Sequence, residues 1–181
     1  MNNIKILSFI MLLALSLWVG ACSKNTTQAP PPAPEQPQPM ATQEVNLYFS
    51  DDQAMYLVPE KRILQSAGTD QKQLAAAVVN ELIAGPKQAK LHATMPQGSK
   101  LLSLEIAGGL ATVNFNQDFQ SQHSGGSTGE IMTIYSLVNS LTDLQGIQQV
   151  QLLVEGNKLE TLKGHLEISQ PLTRNTDIIK K

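Results

Sequence analysis

The sequence predicts an α+β fold, a two-layer sandwich in which two helices pack on one face of a mixed or antiparallel sheet. Two segments, residues 70–85 and 127–145, repeat apolar side chains with the 3.6-residue period of amphipathic helices. Several shorter segments alternate apolar and polar side chains, as half-buried strands do. Glycines and prolines separate these segments, so we expect the order β-β-α-β-β-α-β-β within one domain.

The first three elements are expected within residues 45–86. Residues 45–49 (VNLYF) and 55–64 predict two strands that form a hairpin around a turn at 50–53. Pro59 indicates an edge strand or a bulge. Asp70, with Gln73 three residues later, predicts the N-terminal cap of the first helix, and the dipeptide at 85–86 (GP) predicts its end.

The second half of the predicted domain begins with the clearest hairpin in the chain. Residues 102–106 and 111–115 alternate on either side of a Gly-Gly turn. Ser127 and Glu130 predict a capping box for the second helix, which ends before Gly146. Residues 150–154 predict a strand, and a turn at 156–157 leads to a short last strand at 158–162. The polar tail is expected to fray.

The N-terminus predicts export from the cytoplasm. Residues 6–19 are almost continuously apolar and follow Lys5; at ~1.5 Å per residue they span about 21 Å, less than a hydrocarbon core of ~30 Å. This pattern is typical of a secretory signal peptide. Residues 19–22 (VGAC) resemble the lipobox of bacterial lipoproteins, which implies diacylglycerol on Cys22, cleavage before it and acylation of the new N-terminus. The alternative is an uncleaved signal anchor with an incidental cysteine.

A proline-rich segment follows the lipidation site. Residues 22–43 contain six of the ten prolines and almost no large apolar side chain, which predicts an extended, semi-rigid tether. A ligand for an SH3-type domain is the alternative. We therefore divide the chain into a signal peptide (1–21), a lipidated tether (22–43), a domain (44–174) and a polar tail (175–181). The anchor places the domain on the outer face of the plasma membrane, or on the outer membrane where the host has one, since Ser23 permits that sorting.

Composition and spacing exclude several classes of function. A net charge of −2 offers no basic surface for nucleic acid. The single cysteine excludes a disulfide framework, and the three histidines lie far apart, so we expect no metal and no cofactor. Residues 124–129 (SGGSTG) lack the lysine of a phosphate-binding loop, and no nucleophile elbow is present. The polar residues favour a binding or assembly module over an enzyme.

Seven short motifs, in order, resemble the GerMN domain, a family named for sporulation and spore germination. They span about residues 45–174: LYF at 47–49, LVP at 57–59 with Arg62, LIAGP at 82–86, MPQGS at 95–99, LATVNF at 110–115, VNSLT at 138–142 with VQLLVEG at 150–156, and LKGH at 162–165. Two departures are Asn114, where Asp is frequent, and Gln145, where Pro often precedes the glycine.

The resemblance implies a membrane-anchored envelope protein and carries over no established catalytic residue. Asn139, Glu155 and His165 are the polar exceptions in the matched motifs, so we take them as candidate binding residues; the alternative is a hydrogen bond that fixes a turn near the second helix. We expect a non-enzymatic module that assembles with other envelope proteins or with its own copies. Its role would be sporulation or germination in a spore-former. The alternative, an envelope enzyme or ligand-binding protein acting on peptidoglycan, predicts that Glu155, Glu167 and His165 converge in a pocket.

Overall fold

A computed structural model describes residues 40–67 and 70–181 of the protein. The signal peptide, Cys22 and most of the predicted tether lie outside these residues. The α+β class is confirmed. The described part contains these elements in chain order: β1 (Met40–Ser50), β2 (Leu57–Ala67), α1 (Gln71–Ala84), β3 (Leu101–Ala107), β4 (Leu110–Phe115), α2 (Asp118–Ser121), α3 (Ser127–Thr142), β5 (Gln149–Val154) and β6 (Leu172–Thr173). None of the helices in this part is long and apolar enough to cross a membrane.

The strands form two sheets where the sequence predicts one. β1 and β2 pair as an antiparallel hairpin, and β3, β4, β5 and β6 form a mixed sheet in that order. Within it β4 and β5 run parallel, with Val113 opposite Leu152, because α3 lies in the crossover between them. Both α1 and α3 contact strands of both sheets, so they do not cover one face of a single sheet. Periodicity marks a buried face but does not say which strand it meets.

The helix α1 follows its predicted signals at both ends. The Asp70 carboxylate accepts hydrogen bonds from the N–H groups of Lys72, at 2.9 Å, and Gln73, at 3.3 Å. Gly85 ends the helix with a φ of +90°, a conformation that side chains disfavour. The short helix α2 was not predicted; it places Phe119 against Phe115 with ring centroids 4.2 Å apart.

The helix α3 begins at Ser127, but the predicted capping box is wrong. No side chain caps this end; Gly126, with a φ of +82°, precedes the helix, and the Glu130 side chain turns into the interior. Apolar side chains of α3 join the main core, while small polar ones face β1 and the loop before β3. The polar set is Thr133, Ser136 and Ser140.

The C-terminal segment differs from prediction in two ways. Residues 158–162 form no strand; the one strand-like pairing in this segment is the isolated bridge of Thr161 with Glu167, and the last strand is β6 at Leu172–Thr173. The predicted fraying of the tail is also wrong: the N–H of Leu57 donates to the carbonyl of Ile178 at 2.7 Å, and the N–H of Lys180 donates to Leu57 at 2.8 Å. The tail thereby covers a second apolar cluster formed by Tyr48, Leu57, Met132, Tyr135, Ile178 and Ile179.

Candidate functional site

Asn139 holds the C-terminal segment against α3. Its amide Nδ2 donates to the carbonyl of Asn175 at 2.8 Å, and its Oδ1 accepts from the N–H of Asn175 at 2.9 Å. The guanidinium of Arg174 also donates to the Asn139 carbonyl at 2.8 Å. The side chain is fully buried, and its amide bonds to the backbone of Asn175 through one donor and one acceptor contact within the fold.

A polar cluster beside Asn139 was not predicted from the sequence. Arg174 lies 5.0 Å from the ring centroid of Tyr48 and 3.0 Å from the Asp143 carboxylate. The Tyr48 hydroxyl contacts both partners. Burial raises the pKa of Tyr48, and Asp143 adds to this effect while Arg174 opposes it. The cluster joins residues 126 positions apart in sequence, a separation at which no local pattern is informative.

His165 pairs with a buried carboxylate in the first turn of α3. Its Nδ1 lies 2.8 Å from Glu130 Oε1, and the N–H groups of His165 and Leu166 donate to Oε2 at 3.3 and 3.2 Å. Burial alone would raise the pKa of Glu130, but these donors hold it below its ordinary value. Glu130, which we assigned to a helix cap, anchors the turn that carries His165.

Glu155 occupies a tight turn after β5. Its φ is +49° and that of Gly156 is +79°, so the two residues form the turn between Val154 and Asn157, which pair. The Glu155 carboxylate accepts from the N–H of Gln117 at 2.8 Å. The Glu155 side chain is exposed, and this bond holds the backbone of Gln117, the residue before α2, in place.

The three candidate residues lie apart in the fold. Glu130, which binds His165, and Asn139 are nine residues apart on α3, about 13 Å along its axis. Within residues 40–67 and 70–181, no hydrogen bond joins Asn139, Glu155 and His165, and no three His, Cys, Asp or Glu side chains could hold a metal together. The Glu167 carboxylate accepts from the N–H of Ser169 at 3.1 Å. The alternative of an enzyme or ligand-binding protein acting on peptidoglycan predicts that Glu155, Glu167 and His165 converge in a pocket. None of the contacts described above joins these three side chains.

A cleft that was not predicted lies between the start of α3 and two loops. We call it the histidine cleft; it encloses about 380 Å³, and its lining includes Ser50, Ala54, His92, Thr94, Met95, Gln97, Gln122, His123, Ser124, Met132 and Thr133. Its two histidines are 31 positions apart in sequence and belong to different loops, so no spacing motif connects them.

The floor of the histidine cleft is a directed chain of hydrogen bonds. The N–H of Gly125 donates to His123 Nδ1 at 2.9 Å, so the ring proton is on Nε2, which donates to Thr133 Oγ1 at 3.1 Å. Thr133 Oγ1 in turn donates to the Thr94 carbonyl at 2.7 Å. This arrangement requires a neutral His123, because a protonated Nδ1 could not accept from Gly125.

A second chain of hydrogen bonds connects the cleft floor to β1. Thr94 Oγ1 lies 2.6 Å from Ser136 Oγ, which donates to the Tyr48 carbonyl at 2.5 Å. The N–H of Tyr48 donates to Ser140 Oγ at 3.0 Å. The polar side chains of α3 therefore cover the outer edge of β1, whose backbone groups would otherwise be free to pair with another strand.

Stability is expected to fall in mild acid through His123. Burial lowers the pKa of His123; the Gly129 backbone and Glu130 oppose this effect, and Lys163 reinforces it. As the pH falls below the ordinary histidine value of 6.5, the unfolded chain takes up its proton first. The free energy of unfolding should therefore decrease below pH 6.5 and level off below the folded-state pKa.

Urea unfolding of full-length protein at pH 7.5 and pH 5.0 measures this dependence. His123→Gln should reduce the difference between the two pH values, whereas His92→Gln, which replaces the exposed histidine of the same cleft, should leave it unchanged. An unaltered difference in His123→Gln would show that His123 does not cause the acid sensitivity.

Comparison with known protein families agrees with this fold. The Germane family model, described as "Sporulation and spore germination", matches residues 46–160. The match covers more than half of the chain, and the chain therefore belongs to this family of GerMN-type domains. GerMN domains are not known as enzymes. No match to a curated protein is found.

Three of the solved structures that match this chain illustrate the shared fold. The first GerMN domain of the sporulation protein GerM from Bacillus subtilis has a TM-score of 0.60 and 21% identity, covering 73% of this chain and 98% of that domain. The tandem GerMN domains of GerM have a TM-score of 0.60 and 23% identity, covering 78% of this chain and 48% of the tandem. A candidate lipoprotein from Clostridium perfringens has a TM-score of 0.53 and 23% identity, covering 74% of this chain and 88% of that chain. This chain spans about half of the tandem.

Proposed function

We propose that the protein is a lipid-anchored GerMN-family member that acts outside the cytoplasm as a non-enzymatic module for protein assembly in the bacterial envelope. Its anchor would lie on the outer face of the plasma membrane, or in the outer membrane of a host that has one. Its partners are other envelope proteins, with its own copies as a further partner. In a host that forms spores, the role is sporulation or spore germination, as in the family description.

The hydrogen bonds of the candidate residues and of Glu130, the partner of His165, support a binding module. Asn139 binds the backbone of Asn175, Glu130 binds the turn of His165, and Glu155 binds the backbone of Gln117. Each contact holds a surface segment in one position. Catalysis requires polar groups that converge on a substrate, whereas a fixed surface favours recognition of a partner.

The membrane anchor rests on the N-terminal sequence and on one similar structure. Cys22 is the only cysteine and stands where the lipobox requires it. The Clostridium perfringens chain that shares the fold is described as a candidate lipoprotein. Two or three acyl chains anchor a protein stably where one chain binds only marginally.

Replacing the lipidation site is expected to release the protein from the membrane. Wild-type protein should incorporate labelled palmitate and sediment with membranes, whereas Cys22→Ala should incorporate none and remain as an uncleaved precursor or appear in the soluble fraction. Ser23→Ala, one residue away, is the matched control and should be lipidated like the wild type. Palmitate incorporation by Cys22→Ala would contradict the anchor.

The histidine cleft favours one other candidate function, an envelope enzyme or ligand-binding protein acting on peptidoglycan. Its volume of about 380 Å³ is sufficient for a small ligand. The floor groups His123, Thr133 and Thr94 already bond to one another, which leaves them little capacity for a ligand. Release of soluble fragments from purified cell wall by the full-length protein would favour this candidate over assembly.

A further inference from the structure

The docked C-terminal tail shows which backbone groups of β2 face away from β1. The N–H of Leu57 donates to the carbonyl of Ile178 at 2.7 Å, and the carbonyl of Leu57 accepts from the N–H of Lys180 at 2.8 Å. Both groups of Leu57 therefore lie on the outer edge of the hairpin. Residues of an antiparallel pair alternate in the direction of their N–H and C=O groups, so residues 59, 61, 63 and 65 share this outer edge with Leu57.

The outer edge of β2 is open from Lys61 to Gln65. On the other strand of the hairpin, Tyr48, which is opposite Pro59, bonds to side chains of α3 through its outward N–H and C=O groups. On β2, Pro59 has no N–H to donate. Among the described residues, no hydrogen bond from outside the hairpin reaches the N–H or C=O groups of Lys61, Ile63 or Gln65. These groups form a template on which another strand can pair.

The edge strand β3 of the mixed sheet has features that prevent such pairing. Its register with β4 shifts between Leu101 and Ser103, which interrupts the edge. In an antiparallel pairing of two β3 strands centred on Glu105, two exposed carboxylates would face each other. Bulges and charges of this kind protect natural edge strands from association. β2, by contrast, keeps one register with β1 along its whole length.

The open edge of β2 is complementary to itself. In an antiparallel pairing of two β2 strands centred on Ile63, each Ile63 lies opposite Ile63 of the second copy, and each Lys61 lies opposite Gln65. No like charges face each other, and Glu44 already balances the charge of Lys61 at 2.8 Å. The outward N–H and C=O groups of both strands meet in this register and form about six backbone hydrogen bonds. A lipid surface provides none of these bonds, because hydrocarbon leaves backbone groups unpaired.

A second copy is the occupant that fits this edge at every position. Two-fold symmetry makes each contact occur twice, so an exposed side chain at the centre is covered by its own counterpart. Ile63 is that side chain: at 72%, it has the largest exposed fraction among the exposed large apolar residues of the described part of the chain. The tail does not obstruct the pairing, because Leu57, where it binds, lies beyond Pro59 and outside the paired segment 61–65.

The expected tethers allow both copies to be anchored in one membrane. Met40, at the start of β1, pairs with Ala67, four residues beyond Ile63, which is about 13 Å along the strand. In the paired hairpins the two Met40 residues are therefore about 30 Å apart, counting three strand spacings of ~4.8 Å across the sheet. Residues 22–39 of the predicted tether reach roughly 55 Å when they are extended at ~3.1 Å per residue.

We propose that two copies of the protein pair edge to edge through residues 61–65 of β2 and form a two-fold symmetric dimer with a continuous four-stranded sheet. This step rests on the proposed function and deepens it, since it makes a second copy the partner and the hairpin edge the assembly surface. Anchoring in one membrane raises the local concentration of the two chains, so a short interface is sufficient.

Disulfide trapping of the full-length protein in its own membranes tests the register. Ile63→Cys should give a linked dimer on mild oxidation, because opposed residues of such a pair have Cα atoms ~5.5 Å apart, within the range of a disulfide. Lys61→Cys alone and Gln65→Cys alone should give none, since identical positions are then about 13 Å apart along the strands. Chains with Lys61→Cys and chains with Gln65→Cys, produced together, should link to each other.

The control for this experiment is a cysteine on the other edge strand. Leu102 is 50% exposed on β3, so Leu102→Cys reports random collision of exposed thiols and should give no linked dimer. Absence of a dimer with Ile63→Cys would overturn the proposal. Equal linking by Leu102→Cys or by Lys61→Cys alone, or linking of Ile63→Cys only to a different protein, would overturn it as well.

A charge at the centre of the interface provides the quantitative test. Ile63→Lys, added to the chains that carry Lys61→Cys and Gln65→Cys, places two ammonium groups opposite each other and should reduce the linked fraction at least about fivefold. Ile63→Val is the matched control and should leave the linked fraction close to its original value. Both variants should unfold at the wild-type urea concentration, because the replaced side chain is exposed. An unchanged linked fraction with Ile63→Lys would overturn the pairing.

Palmitate incorporation in the same membranes separates this proposal from the proposed function. Incorporation by the Ile63→Cys protein without a linked dimer overturns the pairing of β2 and leaves the anchored function in place. A protein that incorporates no palmitate contradicts the anchor, and a linked dimer of that protein with the expected register would still support the pairing.

Discussion

Replacement of Arg62 by alanine is expected to lower the free energy of unfolding by about 3 to 5 kcal/mol, because it leaves the Glu60 carboxylate buried without its counter-charge. The two side chains are each 3% exposed, and Arg62 Nη2 lies 2.6 Å from Glu60 Oε1. Removal of one partner of such a pair is costly even where the intact pair adds little net stability. Urea unfolding of the full-length protein at pH 7 measures the loss.

Arg62 also connects β2 to the end of α1. Its guanidinium donates to the Gly85 carbonyl at 2.6 Å, contacts the Glu81 carboxylate, and lies 5.4 Å from the ring centroid of Phe49. A cation at this end complements the partial negative charge of the helix C-terminus. The alanine variant therefore loses contacts to a helix, an aromatic ring and an acid at once.

The neighbouring residue is the matched control for Arg62. Lys61 pairs with Glu44 at 2.8 Å on the solvent-facing side of the hairpin, where both side chains are mostly exposed. Because exposed ion pairs contribute little, Lys61→Ala should leave the unfolding midpoint nearly unchanged. A similar loss in both variants would contradict the assignment of stability to the buried pair.

The second large effect is expected at Glu130. Its carboxylate serves backbone donors of the 165–166 turn and the His165 ring, and an unsatisfied buried donor costs about 1 to 3 kcal/mol. Glu130→Ala should therefore lower the free energy of unfolding by about 3 kcal/mol. Glu130→Gln keeps the shape and removes the charge, so it should cost less at neutral pH.

The pH dependence separates these roles of Glu130. The folded-state pKa lies below the ordinary value of 4.5, so the carboxylate stabilises the fold fully above about pH 4.5, and this contribution is lost as the pH falls toward the folded-state pKa. Glu130→Gln should lose less stability than wild type across this range. Glu44→Gln, at an exposed acid, should match wild type, and equal slopes for Glu130→Gln and wild type would contradict the prediction.

The sequence signals were reliable where a structure depends on residues close in the chain. The Asp70 cap, the Gly85 end of α1 and the hairpin of β3 and β4 all form as expected. The motif order also identified the GerMN family. Helix ends and two-residue turns depend on backbone dihedral angles and on bonds that span a few residues, so local sequence contains most of the needed information.

The sequence of α3 also indicates a second buried face, although it does not indicate which element packs against that face. Residues 131–142 contain no charged side chain, which is typical of a helix buried on more than one side. The apolar stripe by itself predicts one packed face. The polar side chains between the apolar ones, such as Ser136 and Ser140, indicated a second contact face, but nothing in the sequence named β1 as the partner.

For the candidate site residues, too, the local sequence does not identify the contact partners. Asn139 and His165 were selected as polar exceptions among matched motifs, and the alternative of a fixed turn describes the contacts of His165 and Glu155 in the structure. Their binding role stays a prediction. The partner of His165 is 35 residues away and carries an acidic side chain that also fits a capping box, so local rules assigned it to the wrong contact.

The sequence alone determined the α+β class and the family, and it led to the expectations of a single domain and of a lipid anchor at Cys22. The tertiary structure alone decided the separation of two sheets, the parallel pairing of β4 with β5, the burial of Glu130 and the docking of the C-terminal tail. The physical reason is the range of the interactions. Apolar periodicity and turn residues reflect the conformational preferences of short segments. Strand pairing and buried ion pairs depend instead on which segments, distant in sequence, pack together in the core.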